Sequence, residues 1–326
     1  MILVTGARGF VGSRLCQCLA GLGKSVRRTV RAADFARSEA DDIMPVGDIG
    51  PHTDWRAALQ GIEVVVHLAA HVHRLPGSEN EAVDRYWQVN TLGTERLAQE
   101  AAKAGVKRFV YLSSIKVLGE QSDAVGDETG GRFSETWPCQ PLDPYGISKA
   151  EAERRLWAIA SATGMELVVI RPPLVYGPGV KANFERLLGM VKRGLPLPFA
   201  SVRNGRSLIF LDNLVDFIVC VLHHPAAVGQ TFLVADGEDL STPELIQKIA
   251  GAMGRSVRLW PCPLPVLSWA GCLLGRSAEV RRLCGSLRLD SGMTREVLSW
   301  RPPYTVEQGI QVTVQWYLGQ TDGADR

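Results

Sequence analysis

The sequence lacks a marked excess of charge of either sign. Lys and Arg number 36 and Asp and Glu 34, so the formal net charge is +2. A chain this close to neutral has no global electrostatic footprint for nucleic acid. We therefore expect no nucleic-acid partner, and any anion that the protein binds should be held by a local site.

Clustered cysteines are also lacking. The seven cysteines are scattered, with no C-x-x-C pair and no His/Cys group at zinc-ligand spacing. This pattern predicts no metal site and reduced, mostly buried thiols in a cytoplasmic protein. A strand-like run begins at Ile2, so we predict no signal peptide.

A third absence is an apolar run long enough to cross a bilayer, which takes about 20 residues. The longest uncharged stretch, 259–275, contains three prolines, so its helical part is only about 266–274. We predict no membrane span. A helix packed on the protein is the first interpretation of this stretch, and a weak contact with a membrane interface is the second.

What is present is an ordinary globular composition in an alternating pattern. The 326 residues and the 46% apolar share suit about two domains. Strand-like runs at 2–5, 25–30, 43–46, 63–68, 108–113 and 166–171 alternate with helical patterns that include 11–22, 81–104 and 145–163. Such alternation predicts an α/β fold with a parallel sheet covered on both faces.

The pattern loosens after Pro172 and Pro173. Helices are predicted near 183–193, 213–223 and 242–253, and short strands near 208–211 and 231–234. We therefore predict a dinucleotide-binding domain over 1–171 and a smaller substrate domain over 172–326, with elements near 208–235 returning to the first domain's sheet.

A glycine-rich segment, Thr5-Gly6-Ala7-Arg8-Gly9-Phe10-Val11-Gly12, lies between the first strand and the first helix. Small residues there let the backbone approach a pyrophosphate, and the N–H groups of the helix start face the anion. This context predicts a dinucleotide site at Gly6, Gly9, Phe10, Val11 and Gly12.

The strand ends that follow predict the rest of the cofactor site. An acidic residue after the second strand would bind the ribose of NAD, but Arg31 stands there and can pair with a 2′-phosphate. NADP(H) is therefore favoured, and NAD(H) stays open. Further contacts are predicted at Asp48 and Ile49 after the third strand, and at Leu68, Ala69 and Ala70 after the fourth.

A proton-transfer group is predicted at Ser114, Tyr145 and Lys149. Tyr145 and Lys149 share a helix face through their i, i+4 spacing, and Ser114 follows the fifth strand. An adjacent ammonium would lower the pKa of the phenol. The three side chains could move a proton on or off a carbinol oxygen while a nicotinamide takes or gives hydride.

Taken together, these segments resemble the extended short-chain dehydrogenase/reductases of the NAD-dependent epimerase/dehydratase family. The match covers nearly the whole chain and extends to Asn90, Ser113-Ser114, Arg171-Pro172-Pro173 and the run 175–179. The resemblance implies a Rossmann doubly wound parallel sheet, a smaller C-terminal α/β substrate domain, and a UDP-sugar as partner. It also implies a homodimer through the helices at 81–104 and 145–163.

The resemblance further assigns individual residues. It implies cofactor contacts at Asn90, Ser113, Tyr145, Lys149 and Pro172. It implies sugar-nucleotide contacts for a set of residues in both halves: Ser114, Tyr145, Asn183, Arg206, and either Arg281 or Arg282. Lys116 follows the catalytic serine and His73 follows the fourth strand, so both are further candidates for the substrate site.

The stretch Ser114-Ile115-Lys116-Val117 bears on the reaction. The family's 4,6-dehydratases carry an Asp-Glu pair there, and its absence argues against dehydration. Two reactions remain: reduction of a UDP-4-keto-6-deoxy-N-acetylhexosamine in surface-polysaccharide synthesis, which Arg31 favours, and 4-epimerisation of a UDP-hexose. A non-catalytic dinucleotide-binding regulator is the third hypothesis, but the retained serine, tyrosine and lysine argue against it.

Overall fold

The computed structural model describes residues 1–31, 42–72, 79–122 and 131–324. The described strands are β1 Ile2–Thr5, β2 Val26–Val30, β3 Ile43–Pro45, β4 Val64–His67, β5 Arg108–Leu112, β6 Arg132–Phe133, β7 Glu166–Arg171, β8 Leu174–Tyr176, β9 Leu208–Phe210, β10 Gln230–Leu233 and β11 Arg288–Leu289. The described α-helices are α1 Phe10–Gly21, α2 Arg56–Leu59, α3 Glu79–Tyr86, α4 Gly93–Lys103, α5 Pro144–Thr163, α6 Ala182–Lys192, α7 Leu211–Val221, α8 Thr242–Ala252, α9 Leu264–Leu273, α10 Ser277–Cys284, α11 Gly292–Leu298 and α12 Val306–Ala324.

Seven of the described strands form one parallel sheet in the order β10-β7-β5-β4-β1-β2-β3. The chain runs outward from β1 through β2 to β3 and then returns to β4 on the other side of β1. Ligands of doubly wound sheets bind at this reversal, outside the carboxyl ends of the strands. The predicted α/β fold with a parallel sheet is confirmed, and its topology places a site beyond Thr5 and His67.

The central strands are apolar along their length because both faces of the sheet are covered. Leu3 and Val65 face one layer, where they share a core with Leu156 of α5. Val4 faces the other layer and shares a core with Leu15 of α1. Burying each such side chain contributes about 1.5–3 kcal/mol, so the two helix layers hold the strand ends in fixed positions.

The C-terminal half contributes one strand to this sheet. β10 pairs with β7, with Phe232 beside Ile170. β9 instead pairs with β8 in a separate two-stranded sheet, with Val175 beside Ile209. Of the elements expected to return near 208–235, β10 therefore lies in the main sheet and β9 lies outside it. The division into domains at 171/172 stays a prediction.

The single helix predicted over 81–104 was wrong in one respect. α3 and α4 are separated by a π-helical turn, Trp87–Leu92. Inside that turn, Asn90 and Thr91 are fully buried and form hydrogen bonds to Ser148 of α5. An unbroken α-helix would direct these two side chains at different angles. Gly93 follows, and a Cβ there would lie 2.6 Å from a methyl carbon of Ile49.

The cysteines and the helices bear on two further expectations. Cys139 and Cys272 are exposed, whereas the prediction was for mostly buried thiols. Within the described parts of the chain, we find no helix that is both long enough and apolar enough to span a bilayer.

Candidate functional site

The candidate site begins at the glycine-rich loop between β1 and α1. Gly6 has a φ of 67°, and a Cβ there would lie 2.8 Å from the Ala69 nitrogen. A Cβ on Gly12 would lie 2.1 Å from the Gly6 carbonyl oxygen. Both positions therefore require glycine, one for a left-handed turn and one for close packing of the helix. No side chain caps α1 at Gly9, so the backbone N–H groups at the helix start stay available to bind an anion.

We expect Gly6→Ala to lower the free energy of unfolding by about 2–3 kcal/mol and to weaken dinucleotide binding, because a strained φ is combined with a backbone clash. Denaturant titration and cofactor titration measure the two effects. Gly23→Ala is the matched control, because Gly23 has a φ of 66° but no atom within 4 Å of its Cβ position. Equal losses of unfolding free energy and of dinucleotide affinity in the two variants would show that the contact with Ala69 is unimportant.

A cavity of about 1000 Å³ extends from this loop across the carboxyl ends of β2, β3 and β4. Its size and shape suit an extended ligand. Half of the predicted cofactor contacts line it together: Gly6, Gly9, Arg31, Asp48, Ile49, Leu68, Ala69 and Ala70. Sequence reasoning missed another group of lining residues, which come from β2 and from the helix after β4: Thr29, Glu81, Asp84, Arg85, Gln88 and Val89.

A buried histidine lies beneath the loop. The hydroxyl of Thr5 accepts hydrogen bonds from the Leu68 and Ala69 nitrogens at 3.2 Å, so its proton goes to His67 Nδ1, 2.7 Å away. His67 Nε2 then carries the ring proton and donates it to Thr94 Oγ1 at 2.8 Å. Burial, with a smaller contribution from the charge of Lys149, lowers the pKa of His67 to about 3. Sequence reasoning read His67 only as part of a strand, although a histidine in an apolar strand was the available signal.

We expect His67 to make the protein sensitive to acid. Its pKa is about 3 when folded and 6.5 when unfolded, so the unfolded state binds more protons between these values. Stability should fall by about 1.4 kcal/mol per pH unit as pH drops from about 6 toward 3. Denaturant unfolding measures the free energy of unfolding of wild type and of His67→Gln. The difference in that free energy between the two proteins should change by about 3 kcal/mol from pH 7 to pH 4. If the difference is the same at both pH values, or if the exposed His52→Gln changes it equally, the histidine is not the acid-sensitive group.

Ser114 is held between two strands of the sheet. The Ser113 nitrogen donates to the Ile170 carbonyl at 2.8 Å, and the Ile115 nitrogen donates to the Pro172 carbonyl at 3.0 Å. Ser114 caps the short 3₁₀ turn Ile115–Val117, where its hydroxyl accepts from the Lys116 nitrogen at 3.3 Å. Pro172, predicted as a cofactor contact, is thus placed beside the serine through its backbone.

Tyr145 lies in the first turn of α5, next to this serine. Asp143 caps the helix by accepting from the Gly146 nitrogen at 2.7 Å. A Cβ on Gly146 would lie 2.8 Å from the Lys116 carbonyl oxygen, so the helix start lies directly against the serine turn. The Tyr145 phenol lies beside the Ser114 side chain, close enough for that hydroxyl to act on the pKa of the phenol.

The electrostatics of Tyr145 differ from the prediction. Burial, followed by the negative charge of Asp143, raises the pKa of Tyr145 well above its usual 10, and the Ser114 side chain lowers it only in part. Lys149 does not act on the phenol. Its Nζ donates to the Leu112 carbonyl at 2.8 Å and lies 4.5 Å from the centre of the Tyr111 ring. The expected lowering of the phenol's pKa by Lys149 is therefore wrong for this state.

Lys149 is itself almost fully buried. Desolvation lowers its pKa to about 7, and the nearby charge of Glu153 opposes that shift. Glu153 forms a buried ion pair with Arg171, with 2.5 Å between Oε2 and Nη2. Sequence reasoning missed Glu153, although it follows Lys149 by one helical turn and Arg171 was already noted in the motif.

The residues present fit a dinucleotide. The glycine cradle is built for close backbone approach, and the buried hydroxyl of Ser113 has no hydrogen-bond partner within the described part of the chain. Such an orphaned buried group is expected where a ligand completes the site. The loop 6–12, the strand ends that line the cavity, and Ser113 would hold the cofactor.

Other predicted cofactor residues have different contacts. Phe10 and Val11 pack their side chains against the cores, so only their backbone at the helix start is available for a pyrophosphate. The Asn90 amide bonds the His71 nitrogen at 2.7 Å, the His71 carbonyl at 3.0 Å and Ser148 Oγ at 3.0 Å. A cofactor contact for Asn90 stays a prediction. His73 lies outside the described residues.

Three of the predicted substrate residues, Lys116, Arg206 and Arg282, form a charged group around Glu120, which sequence reasoning missed. Lys116 pairs with Glu120 at 2.8 Å and also with Asp143. Burial lowers the pKa of Arg206, Glu120 opposes that shift, and Arg282 adds to it. Arg206 also donates to the Arg282 carbonyl at 2.5 Å. Of the two arginines left open, Arg282 is thus the neighbour of Arg206.

The two remaining candidates lie at the surface. Asn183 is exposed in the first turn of α6, and Arg281 is exposed in α10. Among the described residues, no hydrogen bond or ion pair joins either side chain to Glu120, so their substrate contacts stay predictions.

A family model matches the part of the chain that builds this site. The model is that of the NAD-dependent epimerase/dehydratase family, and it matches residues 2–235. This chain belongs to that family. The resemblance carried by the motifs is thereby confirmed.

Relatives of this epimerase/dehydratase include a UDP-glucose 4-epimerase of Vibrio cholerae, 43% identical over 97% of this chain and 95% of the relative. A UDP-glucuronic acid 4-epimerase from Bacillus cereus, solved with NAD, has a TM-score of 0.77 at 22% identity and covers 99% and 98% of the two chains. MoeE5, solved with UDP-glucose and NAD, has a TM-score of 0.73 at 26% identity and covers 98% and 99%. These solved relatives contain NAD, and a preference of this chain for NADP is not shown.

Proposed function

We propose that this family member transfers hydride at C4 of a UDP-sugar and that its net reaction is 4-epimerisation. The observation that carries the proposal is the meeting of the Tyr145 phenol and the Ser114 hydroxyl beyond the sheet, with Lys149 beneath them. The Vibrio cholerae relative supports the epimerase reaction, and MoeE5 supports a UDP-sugar as substrate.

The chain's own groups hold and move the proton in this proposal. A bound nicotinamide would supply reversible hydride acceptance. Ser114 and Tyr145 would both bond to one sugar oxygen, because the start of α5 lies directly against the serine turn and brings the two hydroxyls together. Epimerisation uses the phenol in both forms: as phenolate it takes the proton of the C4 hydroxyl when hydride leaves, and as phenol it returns that proton to the 4-keto oxygen when hydride comes back. The raised pKa of Tyr145 makes the resting side chain the protonated donor of the second half-reaction, so it must lose its proton before the first.

The residues after Ser114 disfavour a dehydratase. Ile115 is buried and Lys116 is occupied by two carboxylates, so neither position supplies the acid or base that elimination needs. The carboxylates of Glu120 and Asp143 are both paired with Lys116. The turn thus supports hydride and proton exchange at one carbon.

Incubation with UDP-glucose tests the proposal. We expect UDP-galactose to form without net consumption of added NADH or NADPH, and the purified protein to retain nicotinamide. UDP-N-acetylglucosamine tests the N-acetyl form in a parallel arm. Failure to interconvert either pair would contradict 4-epimerisation of these sugars.

A second candidate is the 4-keto reductase, favoured by Arg31 at the edge of the cofactor cavity. Its guanidinium suits a 2′-phosphate and hence an exchangeable NADPH. Stoichiometric oxidation of NADPH with a UDP-4-keto-6-deoxy-N-acetylhexosamine would support this reaction in place of epimerisation.

If Arg31 reads a 2′-phosphate, Arg31→Asp should weaken NADPH binding by about ten-fold or more while changing NADH binding little. Fluorescence titration of both reduced cofactors measures this. Arg31→Lys keeps the charge and should retain most of the preference. Equal binding of the two cofactors by wild type would remove the argument for NADP(H).

A homodimer is part of the proposal. A groove of about 590 Å³ lies between α4 and α5 and is lined by both polar and apolar side chains, among them Glu95, Arg155 and Ile159. A second copy of the chain would cover it. Sedimentation equilibrium tests this, and a monomer at micromolar concentration would contradict it.

A further inference from the structure

The helix α9 is apolar on the side that faces away from the protein. Only Leu267 and Gly271 of this helix are buried. Val266, Trp269 and Leu273 follow one another at i, i+3 and i+7, so they share the opposite face. Trp269 is 65% exposed and Leu273 is 67% exposed. A surface helix normally carries polar residues on that face.

Neighbouring residues enlarge this apolar surface. Trp260 and Leu264 precede the exposed face, Leu274 follows it, and all three are exposed. Pro261 and Pro263 restrict the chain that enters the helix, while Cys262 between them is buried. We call the exposed side chains of Trp260, Leu264, Val266, Trp269, Leu273 and Leu274 the α9 surface. It is a preformed feature, and its two indoles combine an apolar ring with a polar N–H, as side chains at lipid interfaces do.

The charges around the α9 surface are mostly positive. No charged residue lies between Arg258 and Arg276, which bracket the surface, and both arginines are exposed. The wider stretch 255–282 holds five arginines and one acidic residue, Glu279. Glu279 is paired with Arg186 at 2.9 Å and lies 4.0 Å from the Arg276 guanidinium, so it offsets part of this positive charge. In a chain whose net charge is only +2, this is a local cationic border around an apolar face.

The α9 surface is connected to the candidate substrate site. A Cβ on Gly271 would lie 2.6 Å from a methyl carbon of Val280, so α10 packs tightly against α9. At the end of α10, the carbonyls of Leu283 and Gly285 accept from the Asn204 amide at 3.0 Å, two residues before Arg206. A surface that docks α9 would therefore lie one helix away from the charged group around Glu120.

We infer that the α9 surface docks the protein reversibly on an anionic lipid bilayer. The apolar face with its tryptophans suits the boundary between headgroups and acyl chains. The arginines at its border suit the anionic headgroups. The helix has ten residues, about 15 Å, so it lies in the interface without crossing the bilayer. Docking holds the substrate domain at the lipid surface.

Vesicle flotation of the full-length protein tests this inference. Wild type should bind phosphatidylcholine vesicles containing phosphatidylglycerol about ten-fold or more tightly than vesicles of phosphatidylcholine alone, and high salt should remove the difference. Trp269→Glu and Leu273→Glu should each weaken binding by about ten-fold or more. Arg258→Gln with Arg276→Gln should remove the preference for anionic vesicles. Leu22→Glu, at an exposed leucine of the loop after α1, should leave binding unchanged.

Two further measurements separate loss of binding from loss of folding. Circular dichroism checks that each variant is folded. Quenching of tryptophan fluorescence by brominated lipid tests lipid contact in the wild-type protein itself. Absence of binding to anionic vesicles, or an equal loss in Leu22→Glu, would overturn the inference. So would an oligomer that Trp269→Glu dissociates in sedimentation without any vesicle binding, because the α9 surface would then be an interface between copies.

Discussion

Replacing Tyr145 by phenylalanine should reduce kcat by about 10³-fold, within the range for loss of a positioned acid–base group. The phenol is the side chain beside Ser114 that carries a transferable proton, and its raised pKa keeps that proton in place. Binding of the dinucleotide should change little, because the glycine loop and the cavity walls are untouched. Initial rates with UDP-glucose, together with cofactor titration, separate the two effects.

Tyr86→Phe is the matched control for this substitution. Its ring lies 6.1 Å from that of Tyr145, edge to face, so the variant also removes a phenol from the same region. It should retain most of the activity. Unchanged turnover in Tyr145→Phe, or an equal loss in Tyr86→Phe, would contradict the assignment of Tyr145.

Replacing Glu153 by glutamine should lower the free energy of unfolding by about 3 kcal/mol. The Glu153–Arg171 pair is buried on both sides, with 4% and 8% of the side chains exposed. Glutamine keeps the shape but leaves the guanidinium without a counter-charge in the interior. Denaturant unfolding at constant pH measures the loss.

The same substitution should also move the titration of Lys149. The charge of Glu153 raises the pKa of that lysine against the effect of burial, so its removal should lower a value already near 7. NMR titration of the labelled lysine would show the shift toward lower pH. A purely structural effect of Glu153 would change stability without this displacement.

Glu151→Gln, on the same helix, is the control. Glu151 pairs with Arg154 and Arg155 at the surface, where loss of an ion pair costs about 1 kcal/mol or less. Similar destabilisation by the two substitutions would show that burial of the Glu153–Arg171 pair is not what matters.

Local patterns predicted most of the secondary structure. The strand bounds at 2–5 and 166–171 agree with β1 and β7, and the helix predicted at 145–163 is α5 with one residue added. Apolar runs and helical spacing act over a few residues, and so the sequence alone is enough to indicate them. The π-helical turn was not predicted, because it depends on Asn90 and Thr91 reaching partners far along the chain.

The candidate site likewise contains residues that the sequence predicted and residues that only the structure revealed. The glycine spacing and the residues at strand ends predicted which groups line the cofactor cavity, since parallel strands bring their carboxyl ends to one edge. Glu120 and Glu153 were missed although each lies four residues after its lysine, because only the fold shows that Lys116–Glu120 lies near Arg206 and that Glu153 is buried beside Lys149. The choice between Arg281 and Arg282 stays open, since the fold shows only that the Arg282 backbone carbonyl accepts a bond from Arg206.

By itself, the sequence determined the parallel α/β fold, the glycine loop and the set Ser114, Tyr145 and Lys149, because these depend on local spacing. Tertiary structure alone decided the direction of the Tyr145 pKa, the pairing of Lys116 with Asp143, and the outward face of α9. Those properties follow from burial and from charges brought together across the chain. Desolvation and Coulomb interactions depend on distances in the folded protein, which residue order does not contain.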